Sequence, residues 1–70
     1  MRYDGEYFAK ALRVKRAELG ISQAKLAEKT GLTQGQLSQY ERQVSVPSFS
    51  TVVKLADAFG CELEDFAIAD

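Results

Sequence analysis

Three glycines divide this 70-residue chain, and each follows a stretch in which apolar residues recur at intervals of three and four. Gly20, Gly31 and Gly60 stand where such helical runs stop, in the manner of residues that leave a helix through the left-handed region. Hydroxyl residues stand where the next runs start. Ser22, Thr33 and Ser48 can each accept a hydrogen bond from a free amide of a first helical turn. The single proline, Pro47, lies between runs, and no alternating β-branched segment of any length occurs. An all-α chain of five helices is predicted.

The first helix is predicted over Gly5 to Leu19, with Asp4 as N-cap and Phe8, Leu12 and Leu19 among its inward positions. The second covers Gln23 to Thr30. The third, at about 33–42, starts with Thr33 and Gln36 in the spacing of a capping box. Ser48 opens a fourth, running to Phe59, whose Phe49, Val52, Val53, Leu55, Ala56 and Phe59 form one apolar stripe. A short fifth, Glu62 to about Ile68, would bury Leu63 and Phe66. Seventy residues suffice for one domain, and a chain of that size buries only about 60% of the surface of its unfolded form. That single domain, 1–70, has no linker or repeat and leaves no room for a ligand-sensing unit.

Composition removes several classes of function. With no histidine and one cysteine, Cys61, the chain offers no zinc site, histidine-based triad or intrachain disulfide. No cofactor or metal is expected, and Cys61 reads as a small buried apolar side chain. No apolar run approaches the ~18 residues of a membrane span, and the start "MRYDGEYF" lacks the apolar core of a signal peptide. A cytoplasmic, non-enzymatic protein is the expectation. Residues 1–42 carry eight Lys and Arg against five Asp and Glu, whereas residues 43–70 carry one against five. The N-terminal part, at +3, suits an anionic partner better than the C-terminal part, at −4.

Between Gln23 and Arg42 two short helices are joined by a turn of about three residues. Ala27 is small where their axes would meet, and Leu26, Leu32, Leu37 and Tyr40 fill the space between them. That is the spacing of a helix-turn-helix unit. On a helical wheel Leu37 and Tyr40 mark the buried side of the third helix. Gly35 and Arg42 mark the opposite side, flanked by Ser38 and Gln39, with Gln34 at its edge. A glutamine amide offers one donor and one acceptor in a plane, which matches N6 and N7 of adenine in the major groove. Gln36 points rearward and is explained by the capping box.

Residues 12–66, from "LRVKRAELGISQAKLAEKTGLTQ" through "YER" to "PSFSTVVKLADAFGCELEDF", resemble the DNA-binding domain of phage repressors and Cro proteins, the XRE-type helix-turn-helix family. The resemblance implies a five-helix bundle of the lambda-repressor-like type that binds a pseudo-palindromic operator as a homodimer, with the third helix in the major groove. It places base reading at Gln34, Gly35 and Gln39, with Ser38 beside them. Thr33 falls near the DNA backbone and Gln23 at a phosphate-binding position. Lys10, Arg13, Lys25 and Arg42 are further candidates for the backbone. The resemblance also pairs Arg16 with Glu41 in a partly buried ion pair. The loop "QVSVP" departs from the pattern, having no cation near the phosphates, and Gln43 replaces a common helix-ending glycine. Few phosphate contacts and a shallow salt dependence are therefore expected.

The function this implies is a sequence-specific regulator of transcription, a repressor, acting on duplex DNA without a membrane or small-molecule partner. The competing reading is a protein-binding helical module, such as an antitoxin-like partner, that uses the same outer face. Ile68, off the Leu63 and Phe66 face, is a candidate for a subunit contact.

Overall fold

The computed structural model describes residues 2–67. Four α-helices follow in order, α1 (Gly5–Leu19), α2 (Gln23–Thr30), α3 (Gln34–Glu41) and α4 (Phe49–Phe59), and a single 3-10 turn, Leu63–Asp65, closes the described chain. Each helix starts on a side chain able to cap it. Asp4, Ser22, Thr33 and Ser48 accept from the amides of Tyr7, Lys25, Gln36 and Thr51, respectively. Gly20, Gly31 and Gly60 end α1, α2 and α4 with φ of 67°, 78° and 67°. At these angles a Cβ would crowd the following carbonyl, so glycine is the low-cost residue.

The core is one cluster drawn from every element. Phe8 and Leu12 of α1, Leu26 and Ala27 of α2, Leu37 and Tyr40 of α3, and Leu55 and Ala56 of α4 meet Phe66 beyond the 3-10 turn. Phe8 is the hub of its aromatic part. It lies edge-on to Tyr40, with centroids 6.0 Å apart at 81°, and 5.5 Å from Phe66. Lys15 of α1 reaches the same corner from outside, its ammonium 5.9 Å from the Phe66 ring centre and 3.8 Å from Asp65.

Three expectations about packing are corrected. The fifth helix is a 3-10 turn of three residues in which Asp65 folds back to accept from the Glu62 amide at 3.1 Å. The Phe66 amide then donates to Leu63 at 2.9 Å, closing a tighter i to i+3 ring in place of an α-helical turn. Ile68 lies outside the described residues. Leu19 and Phe49 are exposed, not inward. Leu19 is the last residue of α1, past its contacts with the core, and Phe49 is the first of α4, before that helix reaches the core. Leu63 is only half-buried.

Candidate nucleic-acid interface

α2 and α3 are joined by Gly31, Leu32 and Thr33, and α3 crosses both α1 and α2. Its inner side is set by Leu37, Tyr40 and Glu41, all buried. That leaves the rest of an eight-residue helix facing outward. Gln34, Gly35, Gln36, Gln39 and Arg42 are exposed, and Ser38 is half-buried. At the near end, Thr33 Oγ1 accepts from the Gln36 amide at 3.0 Å while Gln36 Oε1 accepts from the Thr33 amide at 2.9 Å. The reciprocal bonds turn Gln36 rearward, so Gln34, Gly35 and Gln39 make the open part of the face. Around Gly35 a Cβ would meet only Thr33 Oγ1, at 3.8 Å. The bare backbone there is accessible from outside.

The far end of α3 is anchored through Glu41, whose side chain is only 7% exposed. Arg16 of α1 approaches its carboxylate with two donors, Nε to Oε2 at 2.9 Å and Nη2 to Oε1 at 3.1 Å. Gln23 of α2 donates its amide to Oε1 at 3.3 Å. Arg16 also donates to the Ile21 carbonyl at 3.1 Å. A planar guanidinium is suited to such a two-point grip on a carboxylate. The hydrogen bond to Glu41 holds the Arg16 guanidinium above its usual pKa, against the opposing effect of burial. Arg13, one turn before Arg16, donates Nη1 to the Glu41 backbone carbonyl at 2.7 Å. One residue thus ties α3 to both preceding helices.

Beyond Glu41 the chain leaves α3 through a two-bond C-cap. The Val44 amide donates to Gln39 at 2.8 Å and the Gln43 amide to Tyr40 at 3.1 Å. This pattern calls for a left-handed residue at Gln43, which has φ of 61°. The same bend brings Ser45 Oγ to Gln39 Oε1 at 3.4 Å, and Arg42 Nε donates to Ser38 Oγ at 3.2 Å.

The candidate residues therefore fall into groups. Gln34, Gly35, Ser38, Gln39 and Arg42 share the outer face of α3, and Thr33 sits at its start. Gln23, Arg13 and Arg16 converge on Glu41. Lys25 is exposed on α2, 3.6 Å from Glu28. Lys10 stands apart, bordering a shallow hollow on α1 with Tyr7, Val14, Glu18 and Asp65. The sequence reading missed Arg13 as a cap on α3 and Ser45 as a neighbour of Gln39. Arg13 lies three residues before Arg16, so the two share one face of α1. Among the described residues no group of His, Cys, Asp and Glu could hold a metal ion, and no helix is long and apolar enough to cross a membrane. Half-buried Cys61 has its thiol pKa pushed up, first by burial.

Comparison with known proteins agrees with this geometry. The chain is 35% identical over 63 residues to an uncharacterized HTH-type transcriptional regulator of Sinorhizobium fredii; the match takes in 90% of this chain but 32% of the relative, so the chain spans about a third of that protein's length. Among solved structures it is similar to the restriction-modification controller protein C.AhdI from Aeromonas hydrophila, with a TM-score of 0.85 and 32% identity over 90% of this chain and 96% of that one. It is similar also to the P22 c2 repressor, solved in complex with a synthetic operator, with a TM-score of 0.81 and 27% identity over the same shares of the two chains. The helix-turn-helix family description matches residues 9–66, which take in all four helices but the first turn of α1. With that match added to the α2–α3 geometry, the chain belongs to the XRE-type helix-turn-helix family.

Proposed function

We propose that the chain is a DNA-binding transcriptional regulator, a repressor, that reads a pseudo-palindromic operator as a homodimer with α3 in the major groove. The observation that carries this reading is the outer face of α3. Gln34, Gly35 and Gln39 lie side by side in the open, on a helix whose opposite face is packed into the core and held through Glu41 to Arg16. Gln34 and Gln39 have the amides to read base edges, and a good bidentate pair gives about 1–3 kcal/mol of discrimination. Gly35 lets the backbone approach the groove, and Ser38 adds a hydroxyl beside it. Thr33, Gln23, Lys25 and Arg42 suit contacts with the phosphates, and Lys10 suits a more distant one. Arg13 is a backbone contact only to the extent that it can hold Glu41 as well. The four helices act as one DNA-binding unit, at work in the cytoplasm on the nucleoid.

Selection from a duplex pool with a randomised core, run at two salt concentrations, tests the proposal. One enriched sequence with two-fold symmetry is the expected result, and no enrichment over random duplex at moderate salt refutes it. Within the enriched site, Gln34→Ala should relax preference at one base pair, whereas Gln23→Ala should weaken binding to every sequence alike. Uniform loss with Gln34→Ala would remove that residue from the readers.

A further inference from the structure

Two exposed side chains on the outer face of α3 are each tied to a half-buried serine. Ser45 Oγ donates to Gln39 Oε1 at 3.4 Å, and Arg42 Nε donates to Ser38 Oγ at 3.2 Å. The place of Ser45 is set by backbone. The Val44 amide donates to the Gln39 carbonyl at 2.8 Å, and left-handed Gln43 turns the chain back over the end of the helix. Both side-chain bonds occupy acceptors. With Oε1 turned toward the loop, the amine becomes the outward end of the Gln39 amide. With its oxygen accepting from Arg42, the Ser38 hydroxyl keeps its proton to donate, and a guanidinium has donors only.

We propose that the C-terminal half of the α3 face presents donors alone and reads guanine, and that Ser45 is the positioning residue that sets this preference. The inference rests on the DNA reading above. Guanine shows two acceptors, N7 and O6, in the major groove, whereas adenine shows N7 beside an N6 amine. Adenine would therefore set N–H against N–H wherever Gln39 keeps its oxygen on Ser45. To hold adenine at two points, the amide must bring that oxygen to the base edge and away from the serine. Gln34 differs. Among the described residues no hydrogen bond holds its amide, so both ends are available to adenine. The loop after α3, which has no cation for the phosphates, thus acts on base choice through a side chain that need not touch a base.

Geometry sets the strength. The Ser45 bond is longer than the ~3.0 Å at which strong O–H···O bonds end, and in the free chain it faces water. Bound DNA would exclude that water, and in the lower local dielectric the same bond counts for more. Ser45 therefore biases the amide without locking it, and a preference of about tenfold, near the low end for a two-point base contact, is its scale.

Selection from the duplex pool with the parent chain and with Gln39→Ala finds the base pair that Gln39 faces, as the one whose preference the variant relaxes. Guanine is expected there for the parent chain. Ser45→Ala should let adenine compete, lowering the guanine-to-adenine ratio at that pair about tenfold while the pair read by Gln34 and the melting temperature stay as they are. Ser45→Thr keeps the hydroxyl and should restore the parent ratio. Replacing that guanine by 7-deazaguanine removes the N7 acceptor and should weaken binding of the parent chain. Adenine favoured there by the parent chain, a ratio that Ser45→Ala leaves unchanged, or no pair relaxed by Gln39→Ala overturns the proposal while the DNA reading stands. A pool with no enriched sequence refutes the DNA reading and takes this inference with it. A measurement without DNA checks the orientation alone. The Gln39 side-chain amide resonances of the free chain should shift with Ser45→Ala more than with Ser45→Thr, and resonances unmoved by Ser45→Ala overturn the proposal equally.

Discussion

Replacing Gln43 by glycine should make this protein more stable. Gln43 holds φ of 61° because the C-cap of α3 needs a left-handed residue there, with the Gln43 and Val44 amides donating to Tyr40 and Gln39. The left-handed conformation costs a residue with a Cβ about 1–2 kcal/mol. Glycine removes that strain, but its unfolded chain is freer, which takes back about 0.4–1 kcal/mol. The Gln43 side chain is exposed and its amide oxygen would lie 3.8 Å from a Cβ built on Gly5, so little packing is lost. The net gain is about 0.5–1 kcal/mol, which in a domain of this size raises Tm by about 2–8 °C. Thermal unfolding followed by circular dichroism reads it directly. Gln43→Ala is the control, since alanine keeps the strain, and it should leave Tm unchanged or lower it. If glycine and alanine behaved alike, or glycine lowered Tm, strain at Gln43 would not be limiting and the argument would fail.

Further outcomes follow from other parts of the fold. Glu41→Ala removes the acceptor for Arg16 and Gln23, but Arg16 keeps its bond to Ile21 and its side chain is 24% exposed. A loss of about 2–3 kcal/mol is therefore expected, below the full cost of orphaning a buried charge; urea unfolding measures it, and an unchanged midpoint would mean the pair is energetically idle. Gly35→Ala has room for its Cβ and should stabilise α3 by about 1 kcal/mol. A bulky residue such as leucine at the same place should impair DNA binding while folding persists, and a gel-shift titration on the enriched duplex would show it. Cys61, whose thiol is held up by burial, should react with iodoacetamide more slowly than a free thiol, with its rate profile moved to higher pH. By linkage its protonated form favours folding below the ordinary thiol range, and that contribution fades as pH rises through the raised value.

Local chemistry explains which parts of this architecture were legible beforehand. Thr33 with Gln36, Gly31 in the turn, and Leu37 with Tyr40 each encode their role within a few residues, and the structure has the box, the left-handed turn and the buried face. What failed depended on distance. Helical periodicity assigned Leu19 and Phe49 to inner faces, but it cannot say where the neighbouring helix stops, and both lie beyond that edge. The last helix is a 3-10 turn, closed by the Phe66 amide on the Leu63 carbonyl, a backbone choice that composition does not reveal. Arg13 was read as a candidate for the DNA backbone, and its bond to the Glu41 carbonyl went unseen because a backbone partner leaves no mark in the sequence. The outward cluster on α3 was legible because it is the complement of a buried pair.

The grip on Glu41 also bears on how such a protein can change. α3 is clamped at its last residue, by side chains of α1 and α2, while Gln34, Gly35 and Gln39 contribute nothing to that clamp. Its near end is held by the Thr33 and Gln36 box and by Leu37 in the core. On the proposed reading, the residues that set preference are therefore not the ones that clamp the helix. If they read the bases as proposed, positions 34, 35 and 39 form a field in which substitutions can accumulate without touching that clamp, so a lineage can drift from one target to another through intermediates that all remain folded.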